Sequence, residues 1–260
     1  VRRAGDFCFM MPALPLAQAV EPLAGQPGID PYRLRDVWRR ILERLPASVA
    51  AQQRLKAYLR RYPDDTAVAE LLQQAQDPIN LSLAAAEQAL EADKTAQAEA
   101  YLHTVLKQRP QAPQALGMLG QIRFRQSRYA EAQQLLGLAA QHSDEEKWRD
   151  LLASARFWGL LQQADSAQAA GQLEQAAAWA TQALRLQPNN PEALATLGQI
   201  RAAQGQAEAA RQLFRQALVA QPGHSAALRG MVGVLIRAGR LEAAQAALDE
   251  YGHQANTSAD

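Results

Sequence analysis

The sequence predicts an all-α protein, a solenoid of stacked antiparallel helix pairs. Three observations predict it. Alanine makes up roughly a fifth of the 260 residues and is the strongest helix former. Aromatic residues are only 6%, and the β-branched and aromatic residues that build strands are scarce. A glycine-turn segment also recurs without gaps. It reads Gly171-Gln172-Leu173-Glu174-Gln175-Ala176, then Gly205-Gln206-Ala207-Glu208-Ala209-Ala210, then Gly239-Arg240-Leu241-Glu242-Ala243-Ala244, at a spacing of 34 residues. Pro188 and Pro222 keep the same spacing, each placed where a helix must stop because proline cannot continue the hydrogen-bond ladder.

The clearest unit runs from Pro191 to His224. Its first helix carries Leu194, Leu197 and Gly198, its turn Gly205, and its second helix Ala210, Phe214 and Ala217. Small residues at Gly198 and Ala210 let the paired helices approach, and Leu197 and Phe214 fill the space between them. A 34-residue helix–turn–helix period with this placement of small and large residues resembles the tetratricopeptide repeat. Measured against that unit, residues 113–146 repeat it through Ala132, Leu136 and Ala139, and residues 79–112 more weakly through Ala86, Ala98, Leu102 and Pro110. Residues 157–190 fit through Ala164, Gly171, Ala176, Ala183 and Pro188, and 225–258 form a last, incomplete unit whose end, Gln254–Asp260, is polar and expected to fray. Ten residues too many separate Pro113 from Pro191. They predict one elongated first helix over about 147–170, capped by Ser143 or Asp144 with Glu145 and Glu146 in its first turn. A longer surface loop is the alternative.

Upstream the period degrades. Helices are expected over about 31–44 and 48–61, separated by Pro46 and ended by Pro63, with Trp38, Leu42, Leu55 and Tyr58 as their buried seam. Another is expected over about 65–76. Residues 1–20 mimic a signal layout, with Arg2 and Arg3, an apolar stretch and Ala17-Gln18-Ala19. Asp6, Pro12 and Pro15 interrupt it, and a remnant of a preceding repeat explains it equally. Pro22, Gly25, Pro27, Gly28 and Pro31 mark a flexible loop. The expected organisation is therefore 1–30 flexible or signal-like, 31–78 divergent helical repeats, 79–146 regular repeats, 147–190 a repeat with the elongated helix, and 191–258 the last repeats.

Composition and motifs exclude most chemistry. Lys and Arg number 27 against 26 Asp and Glu, which lacks the basic footprint of a nucleic-acid binder. The single Cys8 excludes an internal disulfide framework and multi-cysteine metal sites. The four histidines, His103, His142, His224 and His253, are scattered and read as surface residues. No glycine-rich phosphate loop is present, since Gly5, Gly25 and Gly28 lack the strand–loop–helix setting. Asp144, Glu145, Glu146 and Asp150 read as a helix start. No apolar run after residue 20 is long enough for a membrane span. No enzyme activity, cofactor or metal is expected.

A surface for binding is expected instead. The first helices of such repeats line the concave side, and the residues of that face are Asn80 and Glu87, then Met118, Gln121, Phe124 and Arg125, then Trp158, Gln162 and Asp165, then Glu192, Thr196 and Gln199, and finally Arg229 and Arg237. Phe124 and Trp158 either anchor a ligand or pack between neighbouring helices. The Lys/Asn/Arg set with which chaperone-tail repeats clamp a terminal carboxylate is replaced here largely by Ala, Gln and Gly.

The order of features resembles one family more closely. Lys147-Trp148-Arg149-Asp150-Leu151-Leu152, followed by Arg156-Phe157-Trp158 and Leu161-Gln162-Gln163, lies in the elongated segment. It is preceded by the unit containing Ala115–Gln121, followed by the helix around Ala227–Val234, and preceded far upstream by Leu55-Lys56-Ala57-Tyr58-Leu59. Over roughly residues 35–250 this is similar to the periplasmic tetratricopeptide-repeat region of the C-type subunit of bacterial cellulose synthase, the outer-membrane cellulose export protein. The resemblance implies a non-catalytic periplasmic scaffold in cellulose biosynthesis and export. Its implied partners are the subunits of the cellulose synthase complex, with β-glucan or peptidoglycan as further contacts and no nucleic acid. That family also carries a C-terminal outer-membrane β-barrel. No strand-rich portion occurs here, so the expectation is a stretch of a longer array to which export itself is not attributed. The alternative is a cytoplasmic adaptor that binds peptide segments of a protein partner.

Overall fold

The computed structural model describes residues 13–257, apart from 24, 25, 27, 29 and 46 and the side chains after Tyr251. Among them are fourteen α-helices, one short 3₁₀ turn and no strand. The chain divides into two compact units, Val1–Leu119 and Gly120–Asp260.

The first unit contains α1 (Ala13–Val20), the 3₁₀ turn Glu21–Leu23, α2 (Pro31–Leu42), α3 (Val49–Arg61), α4 (Thr66–Gln76), α5 (Pro78–Glu91) and α6 (Thr95–Gln108). Side-chain oxygens satisfy the first amides of four of these helices. Asp30 accepts from Tyr32, Ser48 from Ala51, Asp65 from Val68 and Asp77 from Ile79. Pro31 and Pro78 occupy first-turn positions where their missing N–H costs nothing. The expected seam of Trp38, Leu42, Leu55 and Tyr58 is buried.

The reading of 1–30 as flexible or signal-like does not describe α1. Leu16, Ala17 and Val20 form one stripe of that helix and join the same core as Leu34, Trp38 and Tyr58. Pro15 is accommodated because it falls in the first turn of α1. Residues 1–12, and with them Cys8 and the basic pair Arg2 and Arg3, lie outside the described residues.

Charge and aromatic packing are coupled in this core. The Tyr58 hydroxyl donates to Asp65 Oδ2 at 2.7 Å, and Arg35 lies 3.6 Å from the same oxygen and 5.0 Å from the Tyr62 ring centroid. Trp38 meets Tyr58 edge-on at 5.2 Å. Burial first, and the donation to Asp65 second, push Tyr58 up to about 12. Burial alone would raise the Asp65 carboxyl, but the Tyr58 hydroxyl, the Val68 amide and the Arg39 and Arg35 guanidiniums outweigh it and hold it low.

The division between units falls within α7 (Pro113–Arg125). The second unit continues with α8 (Tyr129–Gln141), α9 (Glu146–Ala169), α10 (Leu173–Leu186), α11 (Pro191–Ala203), α12 (Ala207–Ala220), α13 (Ser225–Arg237) and α14 (Leu241–Thr257). Each helix from α8 onward packs on the next, and α11 also touches α9 and α13. First helices therefore lie beside first helices. The elongated helix is α9, 24 residues long. Its cap differs from expectation. Helical geometry begins after Glu145, whose side chain makes no capping hydrogen bond; Ser143 instead accepts the Glu145 amide, and Asp144 pairs with Arg149 at 3.2 Å. The end α14 stays helical to Thr257 where fraying was expected; residues 258–260 lie outside the described residues.

Gly171, Gly205 and Gly239 take positive φ in the turns between paired helices, the conformation glycine adopts without a Cβ clash. Asp93 and Ser127 take the same conformation, at φ 56° and 57°, in the corresponding turns of the two units that precede α9. The turn geometry therefore persists where its glycine signature does not.

Candidate functional site

The two sequence-predicted residues on α5 differ in exposure. Glu87 is exposed. Asn80 is half-buried and donates to the Gln74 carbonyl at 2.9 Å, beside a cavity of about 860 Å³ that Ile79, Leu83 and Arg109 also line. On α7, Arg125 is exposed and Gln121 half-buried. Phe124 is half-buried and packs edge-on against Tyr129 at 5.5 Å.

Met118 and Thr196 do not belong to an open face. They are 5% and 6% exposed, because each sits in a continuous buried run, Ala115–Gly120 in α7 and Ala193–Gly198 in α11. For α11 the reason is visible in its neighbours: α9, α10, α12 and α13 all pack on it, leaving a narrower open stripe than the repeat period assigns.

The remaining candidates fall into three groups on the first helices of the second unit. On α9, Trp158 keeps 37% of its surface open while its ring meets the buried Phe157 edge-on at 5.3 Å. One turn on, the Gln162 amide donates to the Ser127 carbonyl at 3.2 Å. The second group pairs Asp165 of α9 with Glu192 of α11. Partial shelter of the Asp165 carboxyl pushes its pKa up, and the Glu192 carboxylate adds to the rise. The third group is Gln199, Arg229 and Arg237, which line a groove of about 370 Å³ over Gly230 and Gly233. Neither guanidinium has a carboxylate within ion-pair distance among the described residues.

His224 is not the surface residue expected. It is 8% exposed; Nδ1 accepts the Ala227 amide at 3.1 Å, and Nε2 lies 2.9 Å from Glu192 Oε2. An accepting Nδ1 assigns the proton to Nε2, which donates to Glu192. The ring thus caps α13 and ties it to the start of α11. Its place just before Ser225, where a helix begins, was the available signal. Trp179 of α10 has no counterpart among the sequence candidates, which all lie on first helices; it is half-buried and borders a polar cleft.

Among the described residues no three His, Cys, Asp or Glu side chains are placed to hold a metal ion, and no helix is long and apolar enough to cross a membrane.

A tetratricopeptide-repeat family model matches residues 89–155 and 201–260, and a second model of the same description matches 161–225. The chain belongs to the tetratricopeptide-repeat family. Within that repeat family it is similar to cellulose synthase operon protein C of Xanthomonas axonopodis pv. citri (strain 306), 40% identical over 179 residues covering 65% of this chain and 12% of that protein. Cellulose synthase operon protein C of Escherichia coli (strain K12) is 28% identical over 194 residues, 70% of this chain and 16% of its own length. The resemblance to the tetratricopeptide-repeat region of cellulose synthase operon protein C is thus borne out, for a chain spanning about an eighth of the Xanthomonas relative. Among solved structures, "Crystal structure of YrrB: a TPR protein with an unusual peptide-binding site" matches at 18% identity over 76% of this chain and 90% of that one, with a TM-score of 0.39.

Proposed function

We propose that this tetratricopeptide array is a non-catalytic periplasmic scaffold in cellulose biosynthesis and export. It mediates protein–protein contacts between the synthase and the outer-membrane channel, with β-glucan or peptidoglycan as further contacts. The observation that carries this reading is the row of open side chains on adjacent first helices: Trp158, Asp165, Glu192, Gln199, Arg229 and Arg237. These residues offer an aromatic anchor flanked by charges of both signs, the composition from which specific interfaces draw their affinity and orientation. Arg125, exposed on α7, extends the same set. The similarity to cellulose synthase operon proteins supports this setting.

Photo-crosslinking tests it. A photoreactive residue at Trp158 or Arg229, introduced into the chain within its native host, is expected to form adducts with cellulose synthase subunits, and the chain is expected in the periplasmic fraction. Adducts with cytoplasmic proteins alone would instead establish the general peptide-binding adaptor.

A further inference from the structure

A second polar surface shares Gln162 with the first-helix candidates. The C-terminal half of α9, the turn after it and α10 enclose a cleft of about 490 Å³. Gln162, Gln163, Ser166, Gln172, Gln175 and Trp179 line it together with Ala167, and none of these side chains is charged. Gln162 is held by the Ser127 carbonyl. The amides of Gln163, Gln172 and Gln175 and the Ser166 hydroxyl have no hydrogen-bond partner among the described residues. Trp179 packs on the alanine seam of Ala164, Ala167, Ala176 and Ala180 and stays partly open.

The lining selects a ligand class. Amides and hydroxyls both donate and accept without net charge, so the cleft offers a carboxylate or phosphate no cation to pair with. A purely apolar ligand would cover these polar groups without satisfying them, which costs free energy. An indole presents a flat apolar face with an N–H at its edge. A pyranose ring complements both features, because its C–H face stacks on an indole while its rim of hydroxyls exchanges hydrogen bonds with amides.

We propose that the cleft between α9 and α10 binds an uncharged pyranose chain, stacked on Trp179 and hydrogen-bonded by Gln163, Ser166 and Gln175. The inference rests on the glucan contact in the reading above for its choice of sugar. The Ala164–Ala180 seam holds the indole in place, so little freedom is lost on binding.

Calorimetric titration of the 260-residue chain with cellohexaose tests it, with maltohexaose, an acidic oligogalacturonide and a neutral glutamine-rich peptide as comparisons. Saturable binding of cellohexaose is expected, with none of the oligogalacturonide. Trp179→Ala is expected to weaken it at least about tenfold. Because Trp179 also packs on the core, the double variant Gln163→Ala/Gln175→Ala, at two exposed positions, is the second readout. It is expected to weaken binding by a similar factor with helical circular dichroism unchanged. No saturable binding of cellohexaose by the folded chain, binding unchanged in the double variant, or binding of the peptide in place of sugar would each overturn the proposal. Crosslinking from Trp158 to synthase subunits reads the scaffold role separately, so failure of one is distinguishable from failure of the other.

Discussion

The Phe214 ring lies directly against Gly198: a Cβ at position 198 would stand 2.7 Å from the ring's Cε1, and one at Gly230 would also run into the ring. Phe214 is fully buried. One side chain of α12 therefore needs a glycine on α11 and another on α13, and this triplet joins three consecutive helices. Alanine normally favours a helix over glycine by up to about 1 kcal/mol. Here the ring is fully buried, and the clash is expected to decide the sign. Gly230→Ala is expected to destabilise by about 1–3 kcal/mol, and Phe214→Ala by about 3–5 kcal/mol, both read from urea unfolding. A neutral or stabilising Gly230→Ala would show that the ring has room to move.

The His224 cap makes a second prediction. His224→Ala removes the acceptor for the Ala227 amide and the partner of Glu192, and a loss of about 1 kcal/mol is expected. His224→Asn keeps a capping acceptor and is expected to recover most of it. Equal losses in thermal denaturation of the two variants would argue against capping as the role of the ring.

Ser127 holds a positive φ of 57° with a side chain on it. Ser127→Gly relieves that strain while keeping the carbonyl that Gln162 uses. A gain of about 0.5–1 kcal/mol is expected, as a rise in melting temperature. A loss would show that the serine hydroxyl contributes more than the backbone strain costs.

Tyr58 and Asp65 predict how stability varies with pH. Folding raises Tyr58 from 10.0 to about 12, so its contribution is complete below pH 10 and is lost as pH climbs toward 12. Folding lowers Asp65 from 3.8, so its contribution is present above that pH and is lost as pH falls through the folded value. The melting temperature of the wild type is expected to fall between pH 10 and 12, and that of Tyr58→Phe to fall less over the same interval. Parallel curves would remove Tyr58 from the account.

Much of this architecture was legible because a repeat writes its packing rules several times over. The period placed Gly205 and Gly239 in turns and Gly198 at the contact between paired helices, and the surplus of ten residues located α9. The same rules mislead where repetition is not the deciding factor. Ser127 and Asp93 adopt the glycine conformation without the glycine, because the turn is imposed by the helices it joins. Met118 and Thr196 fell on the expected open face but are buried; for Thr196 the reason is that α11, packed on both flanks, exposes less than its period suggests.

Local order was thus determined by the sequence alone. Helix-forming composition, capping residues and 34-residue spacing act over a few turns of chain, and they specified the helices, the repeat and the seam of Trp38 and Tyr58. The tertiary structure alone decided what depends on residues distant in the chain: the burial of His224 against Glu192, 32 residues away, the inclusion of Leu16 and Val20 in a core, and the uncharged cleft at Trp179. These depend on how helices dock, and docking is set by the summed fit of many small contacts that no single motif records.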